Sequence, residues 1–394
     1  MRHIHPFPAR MAPELALAAM EGLEEGQTVL DPMAGSGTVL RNAALSGFRS
    51  IGFDTDPLAV LISRASTFQT DIESVRSLTK EIAESAQDSR LSETDLPWID
   101  DSEDTQSFIR YWFARKQRND LRKLAFAIHR SNQDLRGPAR RSLDLIKIAL
   151  SRTIITKEAG ASLARDVSHS RPHKVRESND FDVFAGFKRS AAQVLRFLEN
   201  APIKRNGTAM RGDARHLPGV ADRSIDLVVT SPPYLNAIDY LRGHRLSLVW
   251  LGYGTEELRK IRSGNIGSER KHDAELDEAT RAITSAMVGG EDLSSGNAGL
   301  VARFAYDMNK VVGEIARVLN PDGEAIFVVG DCNVQSTFVS NSRGVAKAAE
   351  RHSLRLKSHS VRDLPLRSRY LPIGTSGSLS KRMRTENVMR FTFA

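Results

Sequence analysis

The chain has 394 residues, 40% hydrophobic and 26% charged, a composition typical of a globular protein with room for two domains. No apolar run approaches the roughly 20 residues of a membrane span. The amino terminus also lacks the basic and apolar pattern of a secretion signal, so we expect a cytoplasmic protein with no membrane partner. The single cysteine, Cys332, excludes an internal disulfide framework and a cysteine-based metal cluster. The net charge of +8 favours a polyanionic partner such as nucleic acid but does not establish one.

The first thirteen residues are rich in proline, which disfavours a helix before Pro13. Pro13 itself suits a first helical turn, so a helix is predicted from Glu14 to Gly22. His3 and His5 are two residues apart, but no further cluster of metal ligands lies near them in the sequence. A metal site is therefore not expected here.

The next segment has the order strand, acidic residue, glycine loop and helix. Residues 27–31 predict a short strand that ends in Asp31, and a helix is predicted from Val39 to Ser46. This order is typical of the first β-α unit of a nucleotide-binding sheet. Gly35 and Gly37 allow the backbone to approach a ligand closely, and Asp31 can bind a cationic amino group.

Two further predicted strands carry acidic residues. The strand over residues 50–53 is followed by Asp54, 23 residues after Asp31 and near the ~20-residue offset of an acid that binds ribose hydroxyls. A third strand is predicted over Ala209 to Leu217, and its acid, Asp213, falls where the adenine of a cofactor is expected. The alternative is that these are ordinary turns of an α/β sheet.

Between Thr67 and Asp182 the pattern changes. Serine and acidic residues come first, followed by basic stretches whose apolar residues keep helical spacing. A mainly helical insertion is predicted, with basic residues that face either solvent or phosphates. Residues Ser162 to Lys174 predict an extended basic loop, for which contact with a nucleic-acid backbone is one of two open interpretations.

A strand over Ile225 to Thr230 runs directly into Ser231, Pro232, Pro233 and Tyr234. The two prolines fix the backbone and cannot donate hydrogen bonds, so the loop is stiff and its carbonyl oxygens are free to accept. A stiff acceptor loop followed by a tyrosine suits a planar group with an exocyclic amino group. A simple turn after a strand is the alternative.

The remaining sequence continues the alternation of helix and strand and ends in a basic tail over residues 351–390. The predicted elements are a helix from Ile238 to Leu251, a mobile insertion over 252–299 with one short helical stretch, an amphipathic helix from Met308 to Leu319, a turn over 320–323 and a buried strand over 325–329.

With these segments together, the chain resembles the S-adenosylmethionine-dependent amino-methyltransferases, specifically the DNA methyltransferases that act on exocyclic nitrogens. The stretch Asp31-Pro32-Met33-Ala34-Gly35-Ser36-Gly37-Thr38 is similar to their cofactor loop, and Ser231 to Tyr234 is similar to their catalytic loop. Asp54 and Asp213 resemble the acids that bind ribose and adenine, and the segment from His5 to Pro13 resembles the part that closes over the methionine of the cofactor. The resemblance implies an α/β fold with a Rossmann-like class I methyltransferase sheet and a large helical insertion.

The resemblance also implies a reaction and a set of site residues. A serine at the first position of the catalytic loop is associated with cytosine N4 methylation, whereas Asp or Asn there is more common for adenine N6. We therefore expect methyl transfer from S-adenosylmethionine, without a metal, to a flipped-out cytosine in double-stranded DNA, and whether a cognate restriction endonuclease is a partner stays open. The implied catalytic residues are Ser231, Pro232, Pro233 and Tyr234, and the implied cofactor-binding residues are His5, Pro6, Asp31, Pro32, Ala34, Gly35, Gly37, Thr38, Asp54, Asp213 and Ala214.

Several alternatives stay open at this point. An adenine-N6 DNA methyltransferase and a guanine-N2 RNA methyltransferase would use the same kind of loop, and a basic nucleic-acid-binding protein could keep the fold without catalysis. Cytosine C5 methylation needs a nucleophilic cysteine, but Cys332 lacks the preceding proline of that enzyme class. Cys332 is interpreted as a packed structural thiol.

The resemblance divides the chain into three parts. Residues 1–66 are the expected cofactor-binding part of the core, 67–182 the helical insertion with possible target recognition, and 183–394 the catalytic part. The third and fourth predicted strands are contiguous, so no separate recognition domain lies between them. Target recognition is expected from the insertion, the 252–299 segment or the basic tail.

Overall fold

The computed structural model describes residues 4–6, 11–154, 160–164, 173–200, 202–235, 240–267, 277–289, 293–334, 337–364 and 385–394. The chain divides into two compact units. The first comprises Met1–Pro8, Asp56–Asn206 and Asp239–Arg262, and the second comprises Ala9–Thr55, Gly207–Ile238 and Ser263–Ala394.

Helices and strands alternate along the described residues. The helices are α1 Pro13–Ala19, α2 Thr38–Ser46, α3 Pro57–Ser66, α4 Ile72–Asp88, α5 Pro97–Asp100, α6 Glu103–Trp112, α7 Arg115–Asp134, α8 Gly137–Ile154, α9 Val183–Glu199, α10 Tyr240–Leu248, α11 Thr255–Gly264, α12 Glu278–Val288, α13 Ser295–Val318 and α14 Asn341–Arg351. The strands are β1 Thr28–Asp31, β2 Arg49–Asp54, β3 Thr208–Arg211, β4 Ile225–Thr230, β5 Leu319–Val329, β6 Cys332–Val334, β7 Thr337–Val339, β8 Leu354–Asp363 and β9 Thr385–Phe393.

The second unit is built on a seven-stranded sheet in the order β3-β2-β1-β4-β5-β9-β8. Strands β1 to β5 are parallel, whereas β9 is antiparallel to both of its neighbours. The strand order reverses between β1 and β4, and open α/β sheets bind their ligands in the crevice at the carboxyl ends of such a pair. The predicted Rossmann-like α/β class is confirmed.

Both faces of this sheet are buried, which is why its central strands read as continuous apolar runs. Successive side chains on a strand point to opposite faces. Val29 of β1 accordingly belongs to a buried cluster with Leu40 of α2, whereas the next residue, Leu30, belongs to a cluster with Met308 of α13. Helices therefore cover the sheet on both sides and leave its carboxyl edge as the place for a site.

The first unit is helical. Its core consists of apolar side chains from α3 to α11, among them Leu58, Leu121 and Phe187, which are fully buried. Asp56 accepts a hydrogen bond from Leu58 N at 2.8 Å at the start of α3 and also contacts Nδ1 of the buried His244. Helices α4 to α8 all lie between residues 67 and 182, the segment predicted to be mainly helical, and the division of the chain at these bounds stays a prediction.

Two predictions for the carboxyl-terminal half are wrong in detail. The 252–299 segment contains α11, α12 and the start of α13 rather than one short helical stretch. Helix α12 begins where the Asp277 carboxylate accepts from Thr280 N at 2.7 Å, a local capping signal. The predicted turn over 320–323 lies within β5, where Asn320 Nδ2 donates to Asp226 Oδ1 at 2.6 Å.

Strand boundaries also differ from the sequence prediction. The third strand ends at Arg211 rather than at Leu217, because the residues after it turn back, with His216 N donating to Asp213 O at 2.9 Å. The basic tail, to which no element was assigned, contains β8 and the first part of β9, and these two strands pair with each other. Most side chains of β8 are exposed, so it lacks the apolar pattern of a buried strand.

Replacing Phe327 with alanine should destabilise the second unit. Phe327 is fully buried on β5, and its ring meets Phe391 of β9 edge-on with centroids 5.8 Å apart. Loss of such a core ring costs about 3–5 kcal/mol, measurable as a lower free energy of unfolding in urea. Phe338→Ala is the matched control, because Phe338 is 52% exposed and should cost less than about 1 kcal/mol. Equal losses in both variants would contradict the packing described here.

Candidate active site

The carboxyl ends of β1 and β4 are joined by a buried hydrogen bond. Asp31, the last residue of β1, accepts from Thr230 Oγ1 at 2.8 Å and from Met33 N at 3.1 Å, both at Oδ1. Thr230 is the last residue of β4 and is completely buried, and Asp31 is 3% exposed. The segment that resembles a cofactor loop is therefore bonded directly to the residue before Ser231.

Asp31 is electrostatically unusual. Burial raises its pKa from 3.8 to about 7 against the opposing effect of the hydrogen bonds from Thr230 and Met33, and the charge of Asp54 raises it further. Within the part of the chain that the structure describes, no Lys or Arg forms an ion pair with Asp31. A ligand that carries an ammonium group would supply the missing positive charge, and S-adenosylmethionine carries one.

The glycine loop has the backbone shape that close approach of a ligand requires. Gly35 and Gly37 have φ of 50° and 76°, in the left-handed region that favours glycine. Gly35 N donates to Asp54 Oδ2 at 2.8 Å, and Ala34 N donates to Phe53 O at 2.8 Å, so the loop is tied to the end of β2. Thr38 then begins α2. These features fit an adenosyl cofactor held by backbone groups.

Asp213 follows β3 and is already paired. Its carboxylate accepts from Arg215 N and Nε, each at 2.9 Å. Arg215 also donates to Asp307 Oδ1 at 2.7 Å and to Gly264 O at 2.6 Å. Burial raises the pKa of Asp213, but the hydrogen bonds from Arg215 outweigh it and hold the pKa below its usual value. Asp213 is therefore a charged, fixed acceptor, unlike Asp31.

The proline loop is anchored on both sides of its polar residues. Thr230 before it and Leu235 after it are fully buried. Between them Pro232 is buried, whereas Ser231 and Tyr234 are half-buried. The Tyr234 hydroxyl donates to Glu386 Oε1 of β9 at 3.0 Å. Ser231 thus lies between buried residues that hold its backbone in place, at the same edge of the sheet as Asp31.

Most of the residues singled out from sequence lie together in the second unit. Asp31, Asp54, Asp213 and their neighbours Pro32, Ala34, Gly35, Gly37, Thr38 and Ala214 follow β1, β2 and β3, and Ser231 to Tyr234 follow β4. His5 and Pro6 belong to the first unit, where His5 Nε2 hydrogen-bonds to Ser151 Oγ at 2.8 Å. The predicted cofactor contact of His5 and Pro6 stays a prediction, and residues 7–10 of the same segment lie outside the described residues.

Other side chains at the site were missed by the sequence analysis. These side chains form hydrogen bonds with residues that are distant in the sequence: Arg215 with Asp307, Tyr234 with Glu386, and Arg362 with Glu386. The one local signal among them is the i, i+2 spacing of Asp213 and Arg215. Cys332 is buried, and burial raises its pKa to about 12, in keeping with a packed thiol. No group of three or more His, Cys, Asp or Glu side chains suited to a metal occurs among the described residues.

Comparison with known proteins gives matches to methyltransferases. Residues 2–91 match a family described as UPF0020, an RMKL-like methyltransferase domain. The type II methyltransferase M.BsoBI of Geobacillus stearothermophilus is 26% identical over 283 residues, 65% of this chain and 53% of that protein, so the match spans about half of the relative's length. The type II methyltransferase M.MvaI of Kocuria varians is 23% identical over an alignment that is 430 residues long. This alignment covers 98% of this chain and 89% of that protein.

A solved SAM-dependent methyltransferase from Methanosarcina mazei aligns with 97% of this chain and 98% of its own, at 9% identity and a TM-score of 0.34. Because this TM-score is low, the fold assignment depends on the strand order described above and not on this structural similarity. The sequence matches support a methyltransferase. None of the described helices is long and apolar enough to cross a membrane.

Asp31→Asn should change how stability depends on pH. Because the folded-state pKa of Asp31 is raised to about 7, the folded chain prefers the protonated form, and this contribution is fully present at low pH and lost as pH rises towards 7. The wild type should therefore lose about 2 kcal/mol relative to Asp31→Asn between pH 5 and pH 8. Urea unfolding at both pH values measures this difference. Asp322→Asn, at an exposed position, is the control, and a parallel pH profile for wild type and Asp31→Asn would contradict the raised pKa.

Proposed function

We propose that this protein is an S-adenosylmethionine-dependent DNA methyltransferase that modifies the exocyclic N4 of cytosine. The observation that carries the proposal is the 2.8 Å hydrogen bond between Thr230 Oγ1 and Asp31 Oδ1. It holds an acceptor loop beside an acidic strand end that lacks a described cationic partner. Two relatives support the proposal, because both are named as type II methyltransferases.

The residues proposed to hold the cofactor have distinct tasks. Asp31 binds its ammonium group and becomes ionised as it does so, while Gly35 and Gly37 let the backbone come close. Asp54 is the proposed acceptor for ribose hydroxyls, and Asp213 with Ala214 borders the adenine. His5 and Pro6 are proposed to cover the methionine part. When bound, S-adenosylmethionine supplies an electrophilic methyl group on a sulfonium, which the target nitrogen takes as a neutral thioether departs.

The proline loop is proposed to activate the target nitrogen by positioning it. The lone pair of an exocyclic amine is delocalised into its ring, so the amine is a poor nucleophile. Ser231 Oγ and the Pro232 carbonyl oxygen accept the two amino hydrogens, which draws the nitrogen towards a tetrahedral form and aims its lone pair. Pro233 keeps the loop stiff. No strong base is needed, because the nitrogen becomes acidic only after it has been methylated and then releases its extra proton to solvent water.

The target base must leave the duplex to reach this loop. Extrusion of a base costs a few kcal/mol, and stacking on the ring of Tyr234 offsets part of that cost. Tyr234 is half-buried and its hydroxyl is held by Glu386, so one face of a fixed ring is the proposed platform. The serine at the first loop position favours cytosine over adenine by resemblance.

Double-stranded DNA is the proposed substrate and a cognate restriction endonuclease the proposed partner. The net charge of +8 suits a polyanion. The helical insertion, residues 67–182, is proposed to take part in target recognition, with 1–66 and 183–394 forming the catalytic core. The predicted contact of the loop from Ser162 to Lys174 with the DNA backbone stays part of this proposal, and its residues 165–172 lie outside the described residues.

The test of function is a product analysis. The purified protein is incubated with labelled S-adenosylmethionine and duplex DNA of mixed sequence, the DNA is digested to nucleosides, and the labelled nucleoside is identified by mass. N4-methylcytosine is the expected product. Label on adenine N6 or cytosine C5 would overturn the base assignment, and label found only with RNA would overturn the substrate. Absence of both transfer and cofactor binding would favour a non-catalytic binding protein.

Loss of the loop acceptor should separate catalysis from cofactor binding. Ser231→Ala removes one acceptor for the amino group and should lower the rate of transfer by about 100-fold or more, while the Kd for S-adenosylmethionine, measured calorimetrically, stays close to that of the wild type. Tyr234→Ala should behave in the same way. Ser224→Ala is the matched control, since Ser224 lies just before the other end of β4, where its hydroxyl donates to Ala221 O at 2.6 Å and its backbone N donates to Val318 O at 2.8 Å. Full activity in both loop variants would show that the loop assignment is wrong.

A further inference from the structure

The hydroxyl of Tyr234 is not directed at solvent. It donates to Glu386 Oε1 at 3.0 Å, and the other carboxylate oxygen of Glu386 accepts from Arg362 Nε at 3.1 Å. Glu386 is the second residue of β9 and Arg362 lies opposite it on β8. The side chains of Glu386 and Arg362 are 14% and 25% exposed. We call these three residues the tyrosine clamp.

Strand register explains why two residues near the other end of the chain reach the catalytic loop. Thr230 of β4 pairs with Phe327 of β5, and two residues further on Val329 pairs with Asn387 of β9. Glu386 is the next residue of β9, so it extends past the same carboxyl edge at which the proline loop begins. The sheet therefore fixes the position of Glu386, and the stiff proline loop brings Tyr234 to it.

A tyrosine attached through a single loop can rotate about its side-chain bonds. A hydrogen bond from its hydroxyl to a carboxylate is charge-assisted and stronger than a neutral one. Arg362 fixes the carboxylate in turn, and Arg362 also lies 3.5 Å from Glu14 Oε1. The ring of Tyr234 is thus restrained at both ends, at its backbone by the prolines and at its hydroxyl by Glu386.

The geometry points to Glu386 and Arg362 as positioning residues that hold the Tyr234 ring in the plane on which the extruded base stacks. This inference rests on the proposed function, since it assigns a purpose to the clamp in that reaction. Neither residue touches the base or the cofactor in this scheme. Their effect passes through Tyr234, so it should appear in the rate of transfer and not in cofactor affinity.

The first experiment tests the contact without using activity. The melting temperature is measured for Tyr234→Phe, Glu386→Ala and the double variant. If the hydroxyl and the carboxylate are bonded, the double variant should melt no lower than the poorer single variant, because each change breaks the same interaction. Losses that simply add would overturn the contact. This result stands even if the wild type transfers no methyl group, so failure of the clamp and failure of the proposed function are distinguishable.

The second experiment measures single-turnover methyl transfer to the duplex DNA that the wild type modifies. Tyr234→Phe and Glu386→Ala should each slow transfer by about 10- to 100-fold at unchanged cofactor Kd, and the double variant should be no slower than the slower of the two. Glu386→Gln keeps an acceptor oxygen and should recover most of the rate. An unchanged rate in Glu386→Ala, or equal loss in Glu386→Gln and Glu386→Ala, would overturn the positioning role.

Glu324→Ala is the matched control for both experiments. Glu324 accepts from Lys357 of β8 and Arg390 of β9, so it resembles Glu386 in pairing with a cation from the same strands. It lies in the middle of β5, opposite Leu227 of β4 and three residues before the level at which Thr230 pairs with Phe327. Its loss should lower the melting temperature but leave the rate of transfer unchanged. A rate loss equal to that of Glu386→Ala would assign the effect to general weakening of the sheet.

Discussion

The hydrogen bond between Thr230 and Asp31 is the contact on which the rest of the site depends. Its two residues are 199 positions apart in the chain and meet only because β1 and β4 are neighbours, with Val29 opposite Leu227 and Leu30 opposite Val228. A slip of one residue in this register would turn every side chain of β4 to the other face of the sheet. The serine that is proposed to accept the amino group is therefore placed by the packing of the sheet core.

Three acidic residues at the same edge illustrate how surroundings decide chemistry. Burial without a described cation raises the pKa of Asp31, whereas Arg215 keeps the pKa of Asp213 low. The carboxylate of Asp54 accepts a hydrogen bond from the backbone N–H of Gly35. The same residue type thus has three roles. Asp31 can become charged when a ligand binds, Asp213 is a charged acceptor, and Asp54 holds the glycine loop in place. The sequence shows three aspartates after three strands and cannot distinguish these roles.

Local patterns sufficed for the elements that carry the site. Two signals are each contained within a short stretch of sequence: the order of strand, acid and glycine around Asp31, and the apolar run that leads into Ser231. The structure has a strand at each of these places, β1 and β4. The contacts of Arg215 with Asp307 and of Tyr234 with Glu386 join residues 92 and 152 positions apart, and no local pattern encodes them. Strand β8 was missed because apolar and polar residues alternate only from Leu354 to Lys357, and most of its side chains are exposed.

The place of β9 in the sheet has a consequence for how the protein is made. Although β9 follows the other strands in sequence, it lies between β5 and β8. On the ribosome, β1 to β5 can begin to associate while β9 is still unsynthesised, and long-range pairing of this kind forms late because its loop-closure entropy is large. Tyr234 acquires its partner Glu386 only at that stage. A nascent chain that still lacks β9 would therefore hold the Tyr234 ring less firmly than the complete sheet does.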